Sequence, residues 1–462
     1  MAAPDTIVAI ATAPGRGAVG IVRVSGPDVP RLAALVLGSL PAPRRATLAQ
    51  FRGPDGASLD AGLALYFPAP GSFTGEHVLE LQGHGGPIML DLLRRRLLVL
   101  GCRAARPGEF TERAFHNGKL DLAQAEAVAD LIDAGSAAAA RAAARSLAGE
   151  FSQRVRELQA ELTALRVAVE AELDFPDEDL GSGGGSVADR SQARATRALA
   201  ACDALLASAR RGARLRQGLC VVIAGRPNAG KSSLMNRLAQ EDVAITSDLP
   251  GTTRDLLRQS IELDGLPLHL VDTAGLREPG DRIEAEGIRR ATTEMRRADR
   301  ILYVVDASDA GPLPDRAGGC GGSALDAQLA DLPRGLPTTV VFNKIDLLAL
   351  TPWFDPTATP PRLGLSAATG EGLDLLREHL RGASGELDLE ADTLSARSRH
   401  VDALVRARAH IAEGVQALAA GTLAELFAED LAQAQHALGE ITGEFTSDDL
   451  LGQIFASFCI GK

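Results

Sequence analysis

Cysteine is scarce in this chain and poorly placed for cross-linking. Five lie far apart in 462 residues: Cys102, Cys202, Cys220, Cys320 and Cys459. No pair has metal-ligand spacing, and an odd number makes a poor disulfide framework. Neither a zinc ribbon nor an oxidised scaffold is expected, and a reducing, cytoplasmic setting is. Aromatic residues make up only 3%, with one Trp and two Tyr. Few rings besides Phe are therefore left to stack on bases, and cores must be built from Leu, Ala, Val and Ile. No run of eighteen apolar residues occurs, so no membrane helix is expected. The first residues carry Asp5 and no basic flank ahead of an apolar core, unlike a secretory leader. Positive charge is in the minority, with 48 Lys and Arg against 60 Asp and Glu and a net charge of −12. That excludes a surface coated in basic patches but leaves room for a local RNA-binding face.

The remaining composition is globular, 45% hydrophobic and 23% charged, and the length calls for two to four domains. Three textures follow one another. Residues 1–118 are mixed: Thr6 to Ala11, Gly20 to Val24, Leu63 to Phe67 and Val78 to Gln82 read as strands, and Pro87 to Leu100 as a helix. This predicts a small α+β domain. From Leu120, Ala, Leu, Arg and Glu dominate. Phe151, Val155, Leu158, Leu162, Leu165 and Val169 form one apolar stripe on a long helix that needs a partner surface. Pro176 and Ser182 to Ser186 interrupt, and a second helix runs to about Arg214. From Leu219, four apolar strands each end at a polar residue. Leu219 to Ala224 leads to the next motif, Leu268 to Val271 to Asp272, Ile301 to Val305 to Asp306, and Thr339 to Phe342 to Asn343. This is the signature of a doubly wound sheet with ligand loops at its carboxyl edge. Helical texture returns from Thr393. The expected domains are thus 1–118, a split helical domain at 119–216 and 381–462, and an inserted nucleotide domain at 217–380. Ser308 to Ala330, with its Gly-Gly-Cys-Gly-Gly, reads as a flexible peripheral insertion.

Gly225-Arg-Pro-Asn228-Ala229-Gly230-Lys231-Ser232 fits GxxxxGK[ST] directly after a strand. Its N–H groups would cradle phosphate, Lys231 would reach the β/γ oxygens, and Ser232 would ligate Mg²⁺. Ser233 continues the helix whose positive end faces the phosphates. Asp272-Thr273-Ala274-Gly275 would hold Mg²⁺ through water at Asp272 and sense the γ-phosphate at Gly275. In Asn343-Lys344-Ile345-Asp346, Asp346 would accept from the N1 and N2 hydrogens of guanine, a pair adenine lacks, and Lys344 would lie along the base. Ser366-Ala367 would offer a backbone N–H to the guanine O6. The nucleotide is GTP. Thr253, in Leu249-Pro-Gly-Thr252-Thr253-Arg-Asp255, is the candidate that would meet Mg²⁺ only while the γ-phosphate is present. Leu276 follows the Asp272 motif where many small GTPases carry a water-orienting Gln, so either the chain barely hydrolyses GTP, or an activator supplies an arginine in trans, or another residue does that work. Glu284 is one candidate, though by pattern alone a surface carboxylate is favoured there.

These motifs, with Thr6-Ile-Val-Ala-Ile-Ala-Thr12, Gly20-Ile-Val-Arg-Val-Ser-Gly26, Arg106-Pro-Gly-Glu-Phe-Thr-Glu-Arg-Ala-Phe115, Asn117-Gly-Lys-Leu-Asp-Leu122 and the terminal Phe458-Cys-Ile-Gly-Lys462, closely resemble the tRNA-modifying GTPases of the MnmE (TrmE) family. The resemblance spans the whole chain. It implies a multidomain α/β protein: an N-terminal folate-binding-like α+β domain that also dimerises, a split helical domain, and an inserted Ras-like P-loop GTPase domain. It implies a homodimer working with the partner MnmG (GidA), which brings FAD and NADH. Together they would build an aminomethyl-type group on C5 of wobble uridine 34 of certain tRNAs, with a 5-formyl or 5,10-methylene tetrahydrofolate. By the same resemblance Asn228 is a K⁺ ligand completed by Ser247, Leu249 and Thr252, Glu284 is the catalytic glutamate, and G-domain dimerisation drives a large motion. Ser247 and Thr273 join the GTP site. Arg23, Glu80, Lys119 and Lys462 are folate-pocket candidates, and the Cys459 thiol lies near that pocket in a positioning role. The alternative for Arg23 is an exposed strand charge, and for Cys459 a buried apolar-flanked thiol.

The tRNA surface is the least legible part. Arg44-Arg45, Arg94-Arg95-Arg96 and Arg211 to Arg216 are basic, but each is better read as a solvated face. The phosphate and Gly-Thr-Thr motifs alone would also suit a ribosome-assembly GTPase; the acidic C-terminal helices, with Glu425, Glu429 and Asp430, argue against one.

Overall fold

The computed structural model describes residues 5–174, 187–241, 258–263, 266–272, 298–309, 323–330, 332–333, 335–383, 393–419, 424–445 and 447–461. They divide into two compact units, one made of residues 1–132, 144–206 and 399–462, the other of 133–143 and 207–398. The second unit takes up its part of the chain from Ala207, ahead of the boundary expected at residue 217.

The first unit opens with a six-stranded sheet built from β1 (Ile7–Ile10), β2 (Gly17–Ser25), β3 (Thr47–Arg52), β4 (Ser58–Phe67), β5 (Val78–Gly85) and β6 (Arg103–Ala104), in the order β3-β4-β5-β2-β1-β6. Every pair is antiparallel except β1 with β6. Side chains alternate across a strand, and β1 shows the result. Val8 joins Val22, Val24, Leu79 and Leu81 in a core completed by Leu32 and Val36 of α1 (Val29–Leu37) and Leu93 and Leu97 of α2 (Pro87–Val99). Ile7 and Ala9 face the other way, onto Phe110 of α3 (Glu109–His116).

Helices α4 (Leu122–Ile132), α5 (Ala137–Leu147), α6 (Glu150–Asp174) and α7 (Val187–Gln217) follow. After the second unit the chain returns as α11 (Ser398–Ala419), α12 (Ala424–Thr442) and α13 (Asp448–Ala456). The six-residue stripe of α6 is buried throughout. Each such Leu or Val contributes about 1.5–3 kcal/mol relative to exposure. Its partner surface is α12, on which Gln435 accepts from Arg166 at 2.7 Å and donates to Thr163 at 2.5 Å. A second tie runs from α4 to α11: Glu126, 1% exposed, receives two nitrogens of Arg399 and pairs with His400 Nε2 at 2.8 Å. The two halves of the split helical domain therefore pack on each other, as the unpartnered stripe required.

The second unit holds a seven-stranded sheet: β7 (Leu219–Gly225), β8 (Arg258–Leu263), β9 (Leu266–Asp272), β10 (Arg300–Asp306), β11 (Thr338–Asn343), β12 (Trp353–Asp355) and β13 (Arg362–Gly364). The order is β12-β13-β11-β10-β7-β9-β8. The stretch from β13 to β9 is parallel, and β12 and β8 are antiparallel edges. One face carries α8 (Lys231–Glu241) and α10 (Leu373–Ala383), whose Leu234, Leu238, Leu376 and Leu380 are fully buried on it. From β7 the chain runs to β8 and β9 on one side and then crosses to β10 on the other, so β7 marks the switch point where ligands of such sheets bind. The arrangement is the doubly wound sheet expected of the inserted domain. The four apolar strands were legible. The edge strands were not, because short strands such as Trp353–Asp355 carry too few residues for a period. The expected loose insertion is partly regular: Ser323–Ala330 forms α9, with Leu325 buried beside Tyr303 and Phe342.

Candidate functional site

The turn between β7 and α8 has the backbone a phosphate loop needs. Gly225 sits at φ +143°, and a Cβ there would overlap the Val304 carbonyl oxygen of the neighbouring strand. Gly230 sits at φ +91°, where a Cβ would strike the Asn343 amide. Both are positions only glycine fills. Asn228 adopts φ +64°, left-handed for a residue that tolerates it better than most. Lys231 opens α8 with only 6% exposure, its Nζ donating to the carbonyl oxygens of Gly225 at 3.0 Å and Arg226 at 2.8 Å. The loop thus holds its cation by its own carbonyls at the spot where phosphate oxygens would compete for it. Ser232 and Ser233 lie exposed in the first turn of α8.

The base side is built at the end of β11. Asn343, 2% exposed, donates from Nδ2 to the Ala229 carbonyl at 2.9 Å and accepts at Oδ1 from the Ala367 N–H at 2.9 Å. It clasps the phosphate loop to the loop carrying Ser366. Lys344, at φ +68°, reaches Asp306 at 2.6 Å. Burial alone would raise the Asp306 carboxyl. The bonds from Lys344 and from the Ser308 hydroxyl and N–H outweigh it and hold the carboxyl below its ordinary range. Asp346 lies in the first turn of the short helix Ile345–Leu348, and its Oδ1 is buried without a hydrogen-bond partner. A buried unpaired acceptor costs about 1–3 kcal/mol, so the site is incomplete without a donor. Arg237 of α8 bonds the Thr369 carbonyl at 3.0 Å and braces the same loop.

The Ser366 N–H donates to the Glu371 carbonyl, and the Ala367 N–H to Asn343. A guanine O6 would have to share these amides rather than find them free. Asp272 ends β9, with Ile223 of β7 beside it. Ser247, Leu249, Thr252, Thr253, Thr273, Gly275, Leu276, Glu284 and Lys462 lie outside the described residues. Sequence reading missed the work of Asp306 and Arg237, and the bracing role of Asn343. Asp306 had a signal, as the polar end of an apolar strand. Arg237 had none.

In the first unit, Arg23 and Glu80 face each other across β2 and β5. Arg23 Nε donates to Glu80 Oε1 at 2.9 Å, its other nitrogen reaches the Gly461 carbonyl at 3.3 Å, and the guanidinium stands 5.8 Å over the Phe110 ring. Arg23 is therefore neither an exposed strand charge nor a free anion receptor. A folate carboxylate would have to displace Glu80. The tail does dock here: Gly108 N–H bonds the Cys459 carbonyl at 3.3 Å, and Pro107 bridges to Ile460. Cys459 itself is exposed, which removes the buried-thiol alternative. Lys119 donates to the Pro70 carbonyl at 3.1 Å and, among the described residues, shares no hydrogen bond with Arg23 or Glu80. The Arg106 to Phe115 motif is structural: Glu109, 2% exposed, gathers Arg103, Arg113 and the Arg106 N–H. Arg94 and Arg95 both pair with Asp91 on α2, an ordinary solvated helix face. No described helix is long and apolar enough to cross a membrane.

Comparison with known proteins accounts for both flanks of the nucleotide domain. The family described as GTP-binding protein TrmE N-terminus matches residues 6–119, and the MnmE helical domain family matches 122–459. The tRNA modification GTPase MnmE of Yersinia pseudotuberculosis serotype IB (strain PB1/+) is 52% identical over 472 residues, covering 100% of both chains. That of Yersinia pestis bv. Antiqua (strain Angola) is also 52% identical over the full length of both. Among solved structures, Aquifex aeolicus Era bound to GDP and aluminium fluoride is 23% identical, covering 41% of this chain and 66% of that one with a TM-score of 0.27.

Proposed function

The chain belongs to the MnmE (TrmE) family, and on that premise we propose that it is a K⁺-activated GTP hydrolase that modifies wobble uridine 34 of tRNA together with MnmG (GidA). The observation that carries the nucleotide part is the clasp of Asn343 between Ala229 and Ala367, set beside the unpartnered Asp346 Oδ1. It is a prepared acceptor for guanine at the correct edge of the sheet.

Each residue has a part. The loop N–H groups and the start of α8 bind phosphate. Lys231 exchanges its two carbonyl partners for β/γ oxygens. Ser232, with Asp272 through water and Thr253, would hold Mg²⁺, which when bound neutralises phosphate charge. Asn228, left-handed at φ +64°, would hold K⁺ with Ser247, Leu249 and Thr252. Glu284 would position the attacking water, the work that Leu276 cannot do. Two copies of the chain would pair, and GTP turnover would move the domains.

On the first unit, the docked tail and Glu80 support a one-carbon tetrahydrofolate site, with Cys459 beside it and Lys119 and Lys462 on its rim. Arg23, which bonds Glu80 and the Gly461 carbonyl of the tail, would line the same site. FAD and NADH enter through the partner protein, and the work is cytoplasmic. Reconstitution tests the reading: the chain, MnmG, tRNA bearing U34, GTP and a one-carbon tetrahydrofolate should yield tRNA modified at C5. Equal product without GTP or without this chain would contradict it.

A further inference from the structure

Away from the nucleotide, three metal-ligating side chains converge where α11 meets α12. His410 Nδ1 lies 3.6 Å from Asp430 Oδ1 and 3.9 Å from Glu413 Oε2, and the three ligand atoms all fall within 4.8 Å of one another. We propose that His410, Glu413 and Asp430 form a divalent transition-metal site of the zinc class that staples α11 to α12.

Three observations carry it. His410 and Glu413 are three apart on α11, so both project from one face, and Asp430 arrives from the facing helix. The close approach that brings Asp430 in is built into the sequence: at Gly414 a Cβ would stand 2.7 Å from the Phe427 ring and 3.6 Å from Asp430 Cβ. Any larger residue would push the helices apart beside the site. Finally, His410 Nδ1 is buried and has no hydrogen-bond partner. Among the described residues, no arginine or lysine pairs with either carboxylate. An imidazole nitrogen facing two carboxylate oxygens is the donor set that suits zinc and its neighbours and does not suit Mg²⁺. With bonds of about 2.0–2.2 Å, tetrahedral ligands stand about 3.4 Å apart, so the two His410 spacings of 3.6 and 3.9 Å need to close by only a few tenths of an ångström, and the exposed Glu413 can swing to complete the third. Glu413, 68% exposed, leaves the site open to water for a fourth ligand.

The test uses the full chain stripped of metal. ZnCl₂ is titrated calorimetrically, and CoCl₂ by visible absorption, which reports four-coordinate geometry. The expected result is one equivalent bound, weakened at least about tenfold in both His410→Gln and Asp430→Asn, with guanine-nucleotide affinity unchanged. Because Glu413 is exposed, Glu413→Gln keeps the fold and should weaken binding as well. Absence of binding in the unaltered chain would overturn the proposal and leave a His–carboxylate ion pair. So would binding that survives all three variants, or binding lost only in Cys459→Ser.

Discussion

Asn343 Nδ2 donates to the Ala229 carbonyl oxygen at 2.9 Å, and this bond ties the end of β11 to the phosphate loop. With the Ala367 N–H held by the same side chain, one buried amide sets the distance between the two ends of the nucleotide.

Asn343→Ala removes both bonds and leaves two buried backbone groups unpaired. At about 1–3 kcal/mol for a lost buried partner, the nucleotide unit should lose a few kcal/mol. GDP and GTP should weaken alike, since the fault lies in the frame. Thermal unfolding and nucleotide titration check this. A loss confined to GTP would mean that Asn343 acts on the γ-phosphate side.

Asp346→Asn turns the buried acceptor into a group that is half donor. GTP affinity should fall about tenfold or more, as expected for a lost bond to a charged group of about 1.5–3 kcal/mol, and selectivity over xanthosine triphosphate should relax or invert. Unchanged guanine preference would place the base pocket elsewhere.

His379 gives the nucleotide unit an acid limit. Its Nε2 lies 2.8 Å from the Thr339 hydroxyl and 3.0 Å from Arg300. Burial, and then the Arg300 charge, push its pKa down to about 4. The unfolded chain takes up that proton near 6.5. Stability is therefore intact above about 6.5 and is lost as pH falls through the folded value, by no more than about 3 kcal/mol and less where water screens the half-buried ring. Urea midpoints measured from neutral to acid pH should fall, and His379→Gln should flatten that fall. An equally steep fall in the variant would exclude His379.

Arg399→Ala strands Glu126, whose buried carboxylate is kept low against burial by His400 first and Arg399 next. Breaking a buried pair from one side costs about 3–5 kcal/mol. The first unit should unfold well below the parent, and Glu126→Gln combined with Arg399→Ala should recover part of the loss. No recovery would mean that Arg399 acts through the Glu440 and Ile441 carbonyls instead.

Much of this was legible in the chain itself. The apolar runs ending at Asp272, Asp306 and Asn343 predicted a sheet with its ligands at one edge, because period and terminal polarity are local signals. The stripe on α6 predicted a partner, and α12 is that partner. The bond from Arg23 to Glu80 was not legible because the two are distant in sequence, and strand pairing is invisible from one strand. The bonds that Asn343 and Glu371 accept from the Ala367 and Ser366 amides were invisible for the same reason, since they form only once the loops fold. The metal triad was hidden because Asp430 joins His410 and Glu413 only through helix packing.

GTP turnover by the purified chain in KCl against NaCl at matched ionic strength tests the central claim most directly. The account predicts turnover that depends strongly on K⁺ and loses that dependence in Asn228→Ala. Equal, slow rates in both salts would contradict it and point to a switch that needs a separate activator.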